Sequence, residues 1–226
     1  MKICLRLICC ILPVVFLSAC KKSDSAETAA KPAPSTNSAP ANPAPAASAP
    51  AANADADASA KMAAADWAMK QDEIKNDPNG EWAMQATASS TYGDAQGTAR
   101  FSANQATGAP NVDKYGDDGS AWAPKTPDSG IEWLDLKYPK PVYASEVRVR
   151  ESCGSGAVVK VEVFDEKGEA HSVWQGNDST KDLNYLIVKF PKTAFKADRV
   201  KVTLATNVVP GWNEIDAVQL VGTDQP

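Results

Sequence analysis

Residues 81–226 predict an all-β fold, an antiparallel sandwich or barrel. Three observations lead there. Apolar side chains recur with period two, not 3.6, as in Val147-Arg148-Val149-Arg150 and Val159-Lys160-Val161-Glu162-Val163. Turn residues cut such runs at short intervals, as in Asp165-Glu166-Lys167-Gly168 and Cys153-Gly154-Ser155-Gly156. No long helical pattern separates the runs, so no crossover helix is available to make the sheet parallel.

Residues 1–19 read as a signal peptide. Lys2 and Arg6 charge the start, Leu7 to Leu17 is almost wholly apolar, and small residues follow. The apolar run falls short of the roughly 20 residues a membrane-spanning helix needs. It ends in Leu17-Ser18-Ala19-Cys20, which resembles the bacterial lipobox. That resemblance implies that Cys20 becomes the first mature residue and is acylated. Two or more acyl chains anchor stably, at about 0.8 kcal/mol per buried CH2. The expected product is a lipoprotein held to the bilayer through Cys20. Lys21-Lys22-Ser23 lacks the Asp that resembles an inner-membrane retention signal, so outer-membrane sorting is expected in a Gram-negative source. Its side of that membrane stays open. An ordinary secretory signal with an incidental cysteine is the plain alternative.

Residues 20–59 form the expected linker. Ser23 to Ser59 is dominated by Ala, Pro, Ser and Asn, with no large apolar side chain to offset the entropy of ordering. The expectation is a disordered tether of roughly 35 Å r.m.s. span. Residues 60–80 read as a short helix and a turn. Ser59 can cap it, the Ala-rich run favours helix, and Trp67 and Ile74 share a face. Asp77-Pro78-Asn79-Gly80 stops it.

The strands then follow in order. Val147 to Arg150, Val159 to Val163, Leu186 to Phe190, Val200 to Leu204 and Ala217 to Val221 all alternate or run apolar. In an antiparallel sheet the Val members face the core and the Arg and Lys members face water, so Arg148 and Arg150 are expected to lie outside.

Here the residues begin to resemble the discoidin-like family, also called coagulation-factor C-type or galactose-binding-like domains. Ala86-Thr87-Ala88-Ser89-Ser90-Thr91-Tyr92 looks like its opening strand. Ala106-Thr107-Gly108-Ala109-Pro110-Asn111, Gly116-Asp117 and Ala121-Trp122-Ala123-Pro124 fit the same order, as do Ile131-Glu132-Trp133-Leu134-Asp135-Leu136 and Ser155-Gly156-Ala157-Val158. Trp212-Asn213-Glu214-Ile215-Asp216 through Gly222 resembles the last strand. The resemblance spans residues 82–222. It implies a jelly-roll-like β-sandwich of about eight strands that binds carbohydrate, lipid head groups or protein through loops at one end. It also implies a structural calcium held by loop carbonyls, an Asp and a Glu before the last strand; Asp113, Asp117 and Glu214 are the nearest residues. A solvated turn is the alternative there.

Charge and chemistry narrow the function. Loss of Lys2 and Arg6 takes the net charge from −5 to about −7. An acidic chain argues against nucleic acid, whose phosphates need Lys and Arg. Four of the five cysteines lie at or before Cys20, so the mature chain keeps one thiol, Cys153, and no internal disulfide. His171 is the single histidine, which leaves no metal cluster built on histidines and makes a Ser-His-Asp site depend on that one residue. Cys153 has no histidine nearby in sequence to activate it.

The sequence therefore predicts a non-enzymatic module that requires no cofactor. Its expected partner is a glycan or another envelope protein. The ligand-binding residues expected on the loops are Tyr92, Asp94, Tyr115, Asp117 and Asn207, with Trp122 and Trp212 plugging the sandwich ends. A structural lipoprotein with a purely protein partner is the runner-up, and a hydrolase is third.

Overall fold

The computed structural model describes residues 52–226, with side chains from residue 55. The signal-like run 1–19, Cys20 and the tether up to residue 51 lie outside the described residues.

Helix α1 runs Ala52–Lys75. It starts at Ala52 rather than at Ala60, so Ser59 lies inside it and is not its cap. The expected helix is present and begins eight residues ahead of the expected boundary at residue 60. The Ala-rich composition extends upstream of Ala60, Asp55 sits in the first turn where the helix dipole favours an anion, and Lys61 pairs with Asp57 at 2.7 Å across the expected boundary. The stop is where the sequence puts it. Asn79 N–H bonds the Asp77 carboxylate at 2.9 Å and Gly80 N–H bonds the Asp77 carbonyl at 3.0 Å. No described helix is long and apolar enough to cross a membrane.

Eight strands follow: β1 Gly80–Trp82, β2 Gln85–Ala88, β3 Ile131–Cys153, β4 Val158–Asp165, β5 Ala170–Gln175, β6 Asn184–Lys189, β7 Lys196–Ala205 and β8 Glu214–Thr223. Every strand ladder is antiparallel. The 23-residue β3 carries both layers. Its first half pairs with β2 and β7, giving the layer β2-β3-β7-β4-β5. Its second half pairs with β8 and β6, giving β1-β8-β3-β6. The register with β7 shifts between Lys137 and Val142, and Pro139 and Pro141 remove ladder donors at that point. One strand thus turns the corner of the sandwich.

The core lies between the layers. Leu134, Leu136, Val147, Val149, Val161, Val163, Val200, Val202, Leu204, Val218 and Leu220 are all fully buried in one cluster. These are the inward members of the period-two runs. Trp122 joins them with no exposed surface, its indole N–H donating to the Ser90 carbonyl at 3.0 Å.

The outward members of β3 correct the sequence expectation. Arg148 and Arg150 do not face water. Arg150 is only 5% exposed. Its guanidinium donates to the Gln71 side chain on α1 and to the Val112 carbonyl at 3.2 Å, and its Nε lies 3.0 Å from the Asp216 carboxylate. Arg148 bonds Gln219 at 2.9 Å and pairs with Asp77 at 2.9 Å and with Glu146. Gln219 in turn donates to the carbonyl of Ile74 at 2.9 Å, and Ile74 is buried. The last turns of α1 and the Asp77–Gly80 turn cover this face, so β8 is buried along both of its sides. Gly80 is needed here because a Cβ would sit 2.3 Å from the Gln219 amide.

Candidate functional site

Three loops converge at one end of the sandwich. Tyr92 opens a 3-10 turn, Tyr92–Asp94, after β2. Its ring packs edge-on against Trp212, with centroids 5.2 Å apart, and edge-on against Phe101 at the same distance. Such aromatic pairs favour T-shaped contact through their quadrupoles. Tyr92 remains 47% exposed. Beside the cluster lie the Asp117 and Glu214 carboxyls, and together with Ala123 these groups line a small open pocket of about 90 Å³. The pocket has room for about three waters' share of volume, or for the edge of one polar ring.

The backbone explains the convergence. Trp122 and Ile215 exchange N–H···O=C bonds at 2.9 and 3.1 Å, which ties the 121–123 segment to the start of β8. Gly116 N–H bonds the Ser152 carbonyl at 2.8 Å and brings Asp117 to the same end. Gly154 sits at φ 53° and so close to Trp212 that a Cβ would lie 2.2 Å from its carbonyl oxygen. Asn213 then donates to the Gly154 carbonyl at 2.7 Å. The loop carrying Cys153 and the loop carrying Trp212 are locked together.

Glu214 is 1% exposed and its carboxyl accepts the Asp118 N–H at 3.1 Å. Burial pushes its pKa up to about 8, the Asp118 N–H opposes this, and the negative charge of Asp117 adds to the rise. At neutral pH Glu214 is therefore mostly an O–H donor, with the Asp117 carboxyl beside it. Burial likewise pushes the Cys153 thiol up to about 11, with Glu214 and Asp117 adding to the shift. That thiol is not ionised at pH 7 and is no activated nucleophile. His171 lies on β5, its ring stacked on Phe195 at 4.2 Å and its Nε2 3.4 Å from Asp165.

A second, larger and more polar hollow of about 450 Å³ adjoins the start of the same loop region, lined by Ser89, Ser90, Asp94, Gln96, Asn104 and Lys125 among others. Glu132, 8% exposed, lies behind its wall and ties down two of the lining serines. It accepts from Ser90 at 2.9 Å, from Ser129 at 3.1 Å and from Ser89. Asp94 is clamped by Lys125 at 2.7 and 2.9 Å.

The five expected ligand residues thus separate. Tyr92 and Asp117 share the small pocket. Asp94 lines the larger hollow. Tyr115 is half exposed and Asn207 exposed, and neither lines one of these two cavities. Trp122 is the expected plug, whereas Trp212 is half-buried and forms a pocket wall. Phe101, Glu132 and Lys125 were not singled out from sequence. Glu132 had a usable signal, a carboxylate in phase with the inward Leu134 and Leu136 of the same strand.

The implied calcium set does not assemble as named. Glu214 meets Asp117 and Asp118, but Asp113 lines a different cavity with Trp67 and Arg150. Among the described residues, the three acidic or imidazole side chains that come within 4.8 Å of one another are Asp165, Glu169 and His171 in the β4–β5 turn. There Asp165 already accepts the N–H groups of Lys167 and Glu169 at 2.9 Å each, as an ordinary turn does.

No curated protein matches the chain. Among solved structures it is similar to chitosan-binding module 1 of a chitosanase/glucanase from Paenibacillus sp. IK-5, at 18% identity over 61% of this chain and 94% of that one, TM-score 0.45. It is similar to the family 32 carbohydrate-binding module of C. perfringens NanJ in complex with galactose, at 18% identity over 62% and 98%, TM-score 0.46. It is also similar to a Ruminococcus gnavus fucosidase in complex with fucose, at 13% identity over 67% of this chain and 27% of that one, TM-score 0.46. The family model described as Pappalysin-1, SD scarf domain, C-terminal, matches residues 71–226, from the last turn of α1 to the final residue of the chain, and the chain belongs to that family.

Proposed function

We propose that this domain is a non-enzymatic binding module that takes a glycan at the loop end of the sandwich, carried on an envelope lipoprotein anchored through Cys20. One observation supports the reading most: the half-exposed Tyr92 ring, braced by Trp212 and Phe101, stands beside a carboxyl pair in an open pocket. An aromatic face takes the C–H side of a sugar ring. Asp117 is exposed and can accept from a hydroxyl, and the buried Glu214 behind it sets the charge of the pair. The pocket holds only a ring edge, which suits recognition of one exposed sugar on a longer chain.

The experiment is a glycan array with the full chain, followed by calorimetry on Tyr92→Ala and Trp212→Ala. Loss of one buried hydrogen bond or stacking contact weakens binding about 5- to 30-fold. Unaltered affinity in both variants would move the site elsewhere. A blank array with specific capture of an envelope protein would favour the purely protein partner. The anchoring half is tested separately: Cys20→Ala should abolish lipid labelling and release the protein from the membrane fraction.

A further inference from the structure

The lining of the loop-end pocket is one-sided in its chemistry. Three aromatic rings, Tyr92, Phe101 and Trp212, share it with the carboxyls of Asp117 and Glu214 and with Ala123. The Tyr92 ring stands at 71° to Phe101 and at 86° to Trp212, so the rings face in different directions. Glu214 is 1% exposed and lies behind, and Asp117 is the exposed carboxyl. Among the described residues that line the pocket, none is Lys, Arg or His. The cations closest to it in sequence are held elsewhere. Both oxygens of Asp94 clamp Lys125, at 2.7 and 2.9 Å. Arg100 lies against Gly119, where a Cβ would sit 2.2 Å from its Nε, and its guanidinium is 5.6 Å from the centre of the Phe101 ring. One ring of the cluster thus already carries a cation of this chain.

Such a lining favours positive charge. The face of an aromatic ring is the negative part of its quadrupole, and it attracts a cation that comes within about 6 Å. The exposed Asp117 adds a charge-assisted acceptor. A neutral hydroxyl gains less from either, and an anion is repelled by Asp117. The space agrees. A volume of about 90 Å³ admits an ammonium group and the carbon that bears it, but it is tight for a bulkier acetylated amide. The whole chain carries a net charge of −5, so its field draws cationic ligands in.

We propose that the sugar taken at the loop end is a hexosamine with a free, protonated amino group, so that the ligand is a cationic glycan rather than a neutral or N-acetylated one. The ammonium sits against the rings of Tyr92, Phe101 and Trp212 and donates to the Asp117 carboxylate. This rests on the glycan reading of the same pocket and names its ligand class.

The test is calorimetry of the full chain with three probes: a glucosamine oligomer, its fully N-acetylated counterpart, and a glucose oligomer of the same length. It is run slightly below neutral pH, where the amine is protonated. The glucosamine oligomer should bind about 2- to 30-fold more tightly than either of the others, and added salt should narrow the gap. Asp117→Asn and Tyr92→Ala, both at exposed positions, should each reduce the preference. A preference that survives both substitutions would be general attraction to an acidic chain and would overturn the assignment. So would equal affinity for the three oligomers, or tighter binding of a lysine peptide of the same charge. Neutral oligomers that bind and lose affinity in Tyr92→Ala, with no gain from the amine, would leave the glycan module standing and remove only its cationic ligand. No binding of any oligomer would remove both.

Discussion

The loop end and the helix-covered face hold similar residue types and use them in opposite ways. At the loop end the Tyr92, Trp212 and Asp117 side chains stay accessible, and their polar groups are left to meet something from outside. On the β3–β8 face Arg148, Arg150, Asp216 and Gln219 are shut in by α1 and spent on one another. A charged residue on a strand therefore marks neither surface nor site by itself. What separates the two regions is whether another segment of the same chain reaches them first.

The largest break in this comparison should come from Arg150→Ala. It leaves the buried Asp216 carboxylate without its cation and cuts the link to Gln71, and truncation of one partner in a buried ion pair typically costs about 3–5 kcal/mol. Urea unfolding should show that loss; a change under about 1 kcal/mol would mean that the covered face is not held by this residue.

Next in size is a pH effect. Glu151 is 1% exposed, and burial, followed by the charge of Asp178, pushes its carboxyl up from the ordinary 4.5 to about 9. Across that window the folded state holds a proton that the unfolded state has released, so stability falls as pH rises from about 4.5 to 9. Glu151→Gln removes this proton and can donate its amide toward Asp178. The melting temperature of the variant should decline less between pH 5 and 9 than that of the parent chain. Parallel pH profiles would show that Glu151 is ionised in the fold.

A smaller effect sharpens the loop end. Glu214 changes from donor to anion as pH rises through about 8, so glycan affinity measured there should change between pH 6.5 and 9.5. Glu214→Gln should flatten the profile while Tyr92→Ala lowers affinity at every pH. A flat profile in the parent chain would detach Glu214 from recognition.

The smallest effect concerns the helix itself. Its first turns are exposed from residue 55 to residue 70, and only the last turn is buried at Ile74. Deletion of residues 52–65 should leave the unfolding midpoint within about 0.5 kcal/mol of the parent, as for surface changes away from buried features. Extending the deletion through residue 79 removes Gln71, Ile74 and Asp77 and should destabilise clearly. Equal effects of both deletions would erase the distinction between stalk and clamp.

The sequence by itself determined the strands and their inward faces. Val147, Val149, Val161, Val163, Val200 and Val202 alternate with polar residues, and a one-residue slip would expose every one of them, so period two fixes both element and face. It also determined the stop at Asp77–Gly80, because proline and the Asp77 side chain act locally. Tyr92 and Asp117 could be named because loops between strands of a sandwich gather at its ends. Tertiary structure alone decided the rest. That Ile131 to Cys153 is one strand serving two layers depends on partners 60 or more residues away, such as Val202 for Leu134 and Val218 for Val149. That Arg148 and Arg150 are covered depends on where α1 comes to rest, and alternation reports only that two faces differ, not that the second one is wet. That Phe101 packs on Tyr92 at the loop end, while Tyr115 and Asn207 stand apart, depends on long-range bonds such as Trp122 to Ile215 and Gly154 against Trp212. Local pattern records what each residue prefers to face; only the packed chain settles which distant segment it finds there.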